Sequence, residues 1–206
     1  HSFNKSALLS YLSFRNVIGK QTFYKGIFDI LPGTEIIYDG KYIKETQYWD
    51  IPTETQPDKG IDFFTNQLDE LINESVKKQM VSDVPLGAFI SGGLDSSILL
   101  SFIKKYKPDL KTYITGFEDH GYNEFKHADT VANHLNLINP EKLIIKPREY
   151  IDSLEKTIKF KSEPISVPHE NAFLKMSNFM KKDISVVMSG EGADELFAGY
   201  GRIFRS

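Results

Sequence analysis

The chain contains 206 residues, with 25 basic and 28 acidic side chains and a formal net charge of −3 at pH 7. This length suits one or two domains with a sizeable core, and the near balance of charge argues against nucleic-acid binding as the main role. The absence of cysteine excludes disulfides, thiolate metal sites and a cysteine nucleophile within this chain, and it is compatible with a cytoplasmic location. No apolar run approaches the length of a membrane span, so we expect no membrane partner.

Residues 3–50 predict a small unit that contains both α and β structure. Apolar side chains between residues 3 and 16 recur at helical spacing, and residues 23–50 have a composition typical of β structure. Within the second part, Asp39-Gly40 is a strong hairpin signal between strands predicted over Thr34–Tyr38 and Tyr42–Tyr48. Residues 51–60 contain two prolines and two threonines without apolar periodicity, which is typical of a linker.

Beyond residue 60, helices alternate with short apolar strands. The first helix is predicted from Ile61 to Val76, with Glu74 and Lys78 able to pair across one turn. Strands are predicted over residues 84–90, 110–117, 142–145 and 184–188, and further helices over residues 98–103, 124–137, 150–158 and 171–180. This alternation predicts right-handed βαβ units and an α/β fold with a doubly wound parallel sheet. In such sheets a ligand binds beyond the carboxyl ends of the strands, near the point where the strand order reverses.

The first of these strands is followed by the sequence S-G-G-L-D-S-S. Gly92 and Gly93 let the backbone bend closely around a ligand, and the N–H groups of the helix that follows favour negative charge. Ser91, Ser96 and Ser97 add hydroxyl donors. An acid in an anion site, here Asp95, is explained if a divalent cation lies between it and phosphates. The alternative is a plain turn in which Asp or Ser caps the helix.

The last strand is followed by a second glycine-rich loop, S-G-E-G-A-D-E-L-F-A-G-Y, from Ser189 to Tyr200. If both loops converge on one phosphate site, Asp95 and Asp194 supply Mg²⁺ ligands and Glu191 becomes a candidate acid/base. We expect Glu195 to point away from the site as the helix begins. The alternative is a solvated loop before a helix capped by Asp194.

Residues at other strand and helix ends also suggest individual roles. The second strand ends at Thr115-Gly116-Phe117, where a glycine would permit the close approach of a flat ligand such as adenine. Glu124 suits the first turn of a helix because an acid there is favoured by the helix dipole. We expect His169-Glu170 to be a capping segment. Three apolar residues of the fourth predicted helix are expected in the core: Phe173, Met176 and Met180.

Taken together, these motifs resemble those of a known superfamily. The S-G-G-L-D-S-S loop is similar to the pyrophosphate loop of the ATP pyrophosphatase superfamily, whose members cleave ATP between the α and β phosphates. The second loop, with V-S-D-V-P-L-G-A-F-I and Y-N-E-F-K-H-A-D-T-V-A-N-H-L, resembles the asparagine synthetase branch, which includes β-lactam synthetase. A Leu-Pro-Gly turn and a Tyr-Trp-Asp near the N-terminus resemble the end of the glutaminase domain in glutamine-hydrolysing asparagine synthetases.

The resemblance covers nearly the whole chain and implies its organisation. Residues 1–52 would be the end of a glutaminase domain of the class II amidotransferases, 53–60 a linker, and 61–206 a synthetase domain of the adenine nucleotide α hydrolase type. In the family, the glutaminase nucleophile is an N-terminal cysteine, and a long helical stretch carrying a catalytic lysine follows the second loop. We therefore expect this chain to be an internal piece of a longer protein, without glutaminase activity and without full synthetase activity.

The resemblance also implies a role for individual residues. Phe89 and Thr115 would flank the adenine through backbone contacts, Glu124 matches an acidic position near the nucleotide, and Glu191 would be needed for forming the acyl-adenylate. The remaining residues implied at the ATP site are those of the two loops and the second strand end: Ser91, Gly92, Gly93, Asp95, Ser96, Gly116, Ser189 and Gly190.

The implied reaction uses ATP and Mg²⁺. The β-carboxyl of aspartate attacks the α-phosphate, pyrophosphate leaves, and ammonia derived from glutamine displaces AMP to give asparagine. Two alternatives stay open: a family member that amidates another carboxylate, such as a sugar or peptide acid, and a non-catalytic fragment that binds nucleotide. The resemblance also allows a homodimer of the full-length protein.

Overall fold

The computed structural model describes residues 2–118, 121 and 123–200, and the chain divides into two compact units. Residues up to Asp58 form the first unit together with Lys156–Glu170, and Lys59–Glu155 form the second together with the residues from Asn171 onward. Tyr122, the first residue of the Y-N-E-F motif, lies outside the described residues. These two units are defined by contacts alone. The assignment of residues 1–52 to a glutaminase domain and of residues 61–206 to a synthetase domain stays a prediction.

The first unit contains a short helix and a two-stranded hairpin, as the sequence predicts. The elements are α1 (Lys5–Phe14), β1 (Thr34–Tyr38) and β2 (Ile43–Gln47), with Thr34 opposite Gln47. In the turn, Asp39 Oδ1 accepts hydrogen bonds from the N–H groups of Tyr42 and Lys41, at 2.7 and 2.8 Å, which lower the pKa of Asp39. Residues 23–31 differ from the prediction, because they contribute only isolated bridges and no strand.

Two tyrosines of the first unit bind the segment that follows helix α5 (Pro147–Lys161). The Tyr11 hydroxyl donates to the Ile165 carbonyl at 2.6 Å, and the Tyr24 hydroxyl donates to the Ser162 carbonyl at 2.9 Å. Tyr11 also packs edge-on against the buried ring of Phe23. A tyrosine used in this way buries its ring while its hydroxyl keeps a polar partner.

The second unit is built on a four-stranded parallel sheet with the order β5-β4-β3-β6. Its elements are α2 (Ile61–Gln79), β3 (Leu86–Phe89), α3 (Leu94–Tyr106), β4 (Lys111–Phe117), α4 (Phe125–His134), β5 (Glu141–Ile145), most of α5, most of α6 (His169–Met180), β6 (Val186–Met188) and α7 (Ala193–Phe197). From β3 the chain proceeds outward to β5 and then returns to the other side of β3. The strand order therefore reverses between β3 and β6, and the predicted α/β parallel sheet is confirmed.

The apolar core lies on both faces of this sheet. Alternate strand residues point to opposite faces, so Ala88 and Ile114 pack into a cluster with α3 and α4, whereas Tyr113 packs with Met176 and Met180 of α6. The predicted ion pair on α2 is confirmed, with Glu74 Oε1 2.9 Å from Lys78 Nζ. In the part of the chain that the structure describes, no helix combines the length and apolarity needed to cross a membrane.

Candidate active site

A cleft of about 330 Å³ lies at the carboxyl edge of the sheet, where the loops after β3 and β6 meet. These are neighbouring strands on either side of the reversal in strand order, which is where open α/β sheets bind ligands. Of the twelve residues predicted at the site, ten line this cleft: Phe89, Ser91, Gly93, Asp95, Ser96, Thr115, Ser189, Gly190, Glu191 and Asp194. The other two, Gly92 and Gly116, are not among the residues that line the cleft.

The first loop is organised by its own serines. Gly93 N donates to Ser91 Oγ at 3.1 Å, the Oγ atoms of Ser91 and Ser96 are 2.9 Å apart, and Ser96 Oγ donates to the Gly93 carbonyl at 3.2 Å. Gly93 is the N-cap of α3, and no described side chain caps that helix. The alternative in which Asp95 or a serine caps α3 is therefore wrong. The amides of the first turn of α3 remain available for an anion.

Gly92 and Gly116 are required by packing around α4. Gly92 has a φ of +84°, and a Cβ at this position would lie 2.5 Å from His127 Cβ. A Cβ at Gly116 would lie 2.3 Å from Phe125 Cζ and 2.6 Å from Asn123 Oδ1. The space beside Gly116 is thus filled by the protein itself, which corrects the prediction that this glycine admits a flat ligand.

The second loop contacts the first directly. A Cβ at Gly190 would lie 3.3 Å from Asp95 Cβ and 3.4 Å from Ser96 N, so a larger residue would push the loops apart. Gly192, with a φ of +93°, is the N-cap of α7, and the predicted alternative of a cap by Asp194 is wrong. Asp194 instead places Oδ1 against Gly199, where a Cβ would be only 1.9 Å away.

Two residues of the cleft depart from the sequence-based expectation. Glu195 lines the cleft instead of pointing away, and it accepts a hydrogen bond from the Tyr200 hydroxyl, which lowers the pKa of Glu195. Phe173 also lines the cleft, with its ring 39% exposed and its centroid 5.8 Å from that of Phe89. Met176 and Met180 are buried as predicted.

The signal for Phe173 in the sequence is ambiguous. It shares a helical stripe with Met176 and Met180, which is typical of a core position. In the structure, Phe173 lies in the second turn of α6 beside Phe89, the last residue of β3, and lines the cleft. Glu170, in the first turn, accepts a hydrogen bond from Lys161 Nζ at 2.7 Å and another from the N–H of Ser166. Helix α6 begins at His169, so His169 and Glu170 lie within the helix and not before it, and the prediction of a capping segment is wrong.

The cleft is strongly acidic. Among the described residues that line it there are five carboxylates and no lysine or arginine: Asp95, Glu124, Glu191, Asp194 and Glu195. A polyphosphate in this cleft therefore requires a cation beside it. No group of three or more acidic or histidine side chains in the described parts of the chain is arranged to hold a metal alone. Asp95 and Asp194, on the two loops of the cleft, carry the oxygen ligands that Mg²⁺ prefers.

Comparison with known proteins agrees with these features. Residues 67–206 match the sequence profile of the family described as asparagine synthase. Asparagine synthetase [glutamine-hydrolyzing] 1 of Bacillus subtilis is 35% identical over 201 residues, which cover 96% of this chain and 31% of that protein. Asparagine synthetase B of Escherichia coli is 34% identical over 153 residues, covering 66% of this chain and 27% of that protein.

Solved structures give a weaker likeness. The NH3-dependent NAD synthetase of Campylobacter jejuni aligns over 68% of this chain and 60% of its own, with 23% identity and a TM-score of 0.42. NMN synthetase of Francisella tularensis aligns over 69% of this chain and 59% of its own, with 20% identity and a TM-score of 0.45.

The curated relatives are much longer than this chain. The chain spans about a third of the length of the curated relatives that it matches, 31% of the Bacillus subtilis protein and 27% of the Escherichia coli protein. The family profile, however, matches well over half of the chain and includes both glycine-rich loops and every residue that lines the acidic cleft. By its own sequence, this chain belongs to the asparagine synthase family.

Proposed function

We propose that the full-length protein activates a carboxylate with Mg·ATP and converts it to an amide with ammonia. The observation that carries this proposal is the contact between the two loops at the reversal in strand order, where Gly190 lies against Asp95. That contact joins the bare N-terminus of α3 to the acids of the second loop in one cleft. A phosphate-binding element and catalytic carboxylates are both needed to cleave ATP next to its α-phosphorus.

The nucleotide occupies the cleft along the carboxyl edge of the sheet in this proposal. Ser91, Ser96 and the first amides of α3 hold the pyrophosphate, because they present donors at the positive end of a helix. The base lies near Thr115 and against the wall that Phe89 and Phe173 form together. Asp95 and Asp194 would hold Mg²⁺, which would supply positive charge beside the leaving pyrophosphate.

Two steps make up the reaction. In the first, a carboxylate oxygen attacks the α-phosphorus, the bond from this phosphorus to the β-bridging oxygen breaks, and an acyl-adenylate and pyrophosphate form. In the second, ammonia attacks the acyl carbon, AMP leaves with the electrons of the acyl–oxygen bond, and the nitrogen loses one proton to solvent to give the amide. Glu191 is the candidate acid or base of the first step. It is an exposed carboxylate in the loop that faces the phosphate-binding turn.

The proposal extends to the substrate and to the source of ammonia. The relatives named above are called glutamine-hydrolysing asparagine synthetases, which supports aspartate as the acid and glutamine as the nitrogen donor. The alignment with the first Bacillus subtilis relative covers nearly the whole chain, which supports residues 1–52 as the end of a glutaminase domain, 53–60 as a linker and 61–206 as part of a synthetase domain.

The test is carboxylate-dependent exchange of radioactive pyrophosphate into ATP by the full-length protein with Mg²⁺. We expect exchange with aspartate and none without an acid. Exchange with another acid in a panel of sugar and peptide carboxylates, but not with aspartate, would support the proposed adenylation and show that the substrate is a different acid. Binding of Mg·ATP without exchange for any acid would contradict the proposal and favour a protein that only binds nucleotide.

A further inference from the structure

The side chain of Asn123 forms a bridge to the end of strand β4. Its Oδ1 accepts from Phe117 N at 2.7 Å, and its Nδ2 donates to the Phe117 carbonyl at 2.5 Å. One side-chain amide thus pairs with both main-chain groups of a single strand residue. A neighbouring strand would normally provide these two partners.

The bridge occurs where β4 extends past its neighbour. The register pairs Phe89 with Tyr113, and the hydrogen bond from Ile90 N to the Tyr113 carbonyl, 3.0 Å long, follows directly after β3 ends. Main-chain groups of every second residue face the same edge of a strand, so Thr115 and Phe117 also face the β3 side. Asn123 occupies this edge at Phe117, and Thr115 lies between the two sets of bonds.

Thr115 lines the cleft, together with Tyr113 and Ile114 of the same strand. Its main-chain N–H and carbonyl face a gap bounded by Ile90 on one side and by Asn123 on the other. An adjacent donor and acceptor on a strand edge match the hydrogen-bonding edge of a planar base. The length of this gap, and hence the room for a base, depends on where Asn123 closes it.

The same bridge fixes the residue that follows. Glu124 lines the cleft at the N-cap of α4, where its carbonyl accepts from Ala128 N at 3.0 Å. Gly116 makes the arrangement possible, because any side chain there would overlap Asn123 Oδ1 and the ring of Phe125. Glu124 is thereby held between a bridge to the sheet and the first turn of a helix.

We propose that Asn123 is a positioning residue of the nucleotide pocket, which closes the base end of the cleft and holds Glu124 in the cleft wall. This inference rests on the proposed function, because it assumes that the cleft binds ATP. Asn123 does not itself line the cleft among the described residues, so it acts through Thr115 and Glu124. Its loss should weaken nucleotide binding more than it slows the reaction of bound ATP, because Glu191 and the two loops lie on the other side of the gap.

The test compares Asn123→Ala, Asn123→Asp and the control Asn178→Ala in the full-length protein. Asn178 is an exposed asparagine of α6 whose side chain bonds only near its own helix: Nδ2 donates to the Leu174 carbonyl at 2.9 Å, and Oδ1 accepts from Lys181 Nζ at 3.3 Å. For Asn123→Ala we expect the Kd for Mg·ATP, from calorimetry, to rise about tenfold, because binding would then have to order the released cleft wall at Glu124. Pyrophosphate exchange at saturating ATP should change by less than about twofold.

Two further readouts separate positioning from general destabilisation. In the ligand-free protein, exchange of the Phe117 amide hydrogen should accelerate in Asn123→Ala and stay slow in Asn123→Asp, which keeps the acceptor. The Asp variant replaces the donor to the Phe117 carbonyl by a second acceptor, so it should restore only part of the affinity for ATP, and it carries the test if the Ala variant does not fold. Combined with Glu124→Gln, Asn123→Ala should add less than its separate effect, because both act on one wall.

The inference is overturned if a folded Asn123→Ala variant binds ATP like the wild type, or if its effect adds fully to that of Glu124→Gln. Unaltered protection of the Phe117 amide would contradict the bridge itself, whether or not ATP binds. A wild-type protein that binds no Mg·ATP would instead contradict the proposed function, and the nucleotide role of Asn123 with it. Failure of the positioning role and failure of the function are therefore distinct results.

Discussion

The loops after β3 and β6 begin alike and end differently. Each follows a parallel strand with Ser-Gly, contains a glycine at positive φ, and leads into a helix whose N-cap is a glycine. The first loop leads into the thirteen residues of α3, and its serines are joined by hydrogen bonds. The second loop leads into the five residues of α7 and carries three acidic side chains. The first suits anion binding and the second suits metal and proton chemistry, so neighbouring strand ends supply complementary halves of one site.

The largest effect that would test this division is at Glu191. We expect Glu191→Gln in the full-length protein to lower acyl-adenylate formation by about 10²–10⁴-fold, the usual contribution of a positioned acid or base. The Kd for Mg·ATP should change little, because the proposed phosphate site lies in the first loop. Rapid-quench measurement of adenylate and calorimetry of ATP binding give the two quantities. Glu141→Gln, at the start of β5 and outside the cleft lining, is the matched control, and a variant with weaker ATP binding but normal turnover would contradict the assignment.

A smaller effect is expected at Asp95, the acid within the anion-binding half. Asp95→Asn should raise the Mg²⁺ concentration for half-maximal pyrophosphate exchange by about 10–100-fold, because a charge-assisted contact to the ion is lost. If the loops share one ion, Asp194→Asn should shift the same midpoint in the same direction. A Mg²⁺ titration unaffected by either change would separate the carboxylates from the metal.

The glycines offer a matched pair for the structural difference between the loops. Gly92→Ala should lower the free energy of unfolding by about 2–4 kcal/mol, since it combines backbone strain at positive φ with overlap against His127 of α4. Gly192→Ala should cost only about 1–2 kcal/mol, because the described atoms leave open space around its Cβ position and only the backbone strain remains. Urea denaturation midpoints measure both, and equal losses would show that packing beneath the first loop contributes nothing.

The smallest effect concerns the hydrogen bond between Tyr200 and Glu195. Because this bond lowers the pKa of Glu195 in the folded protein, its contribution to stability is present at neutral pH and disappears as pH falls through that lowered pKa. Tyr200→Phe should raise the pKa of Glu195 toward its ordinary range, as NMR titration of the side-chain carboxyl would detect. The small difference in unfolding free energy between the two proteins should vanish in acid, and a difference that persisted there would require another cause.

The sequence by itself determined the elements of the second unit and most of its site. Alternating apolar strands and helices specify a parallel sheet, and the carboxyl ends of such strands share one edge, so Asp95 and Glu191 could be expected in one cleft although they are 96 residues apart in the chain. Local turn chemistry likewise predicted the hairpin at Asp39-Gly40.

What only the tertiary structure decided depends on packing between distant segments. Glycine is required at position 116 because the ring of Phe125 and the amide of Asn123 fill the space of a side chain. Phe173 lines the cleft because it packs against Phe89 at the end of β3, and Glu195 is oriented by its hydrogen bond with the Tyr200 hydroxyl. The inclusion of residues 156–170 in the first unit, with Tyr11 and Tyr24 bonded to carbonyls more than 130 residues away, has the same origin. Hydrophobic periodicity records which face of an element is buried, but it contains no information about which partner buries it or where that partner stops.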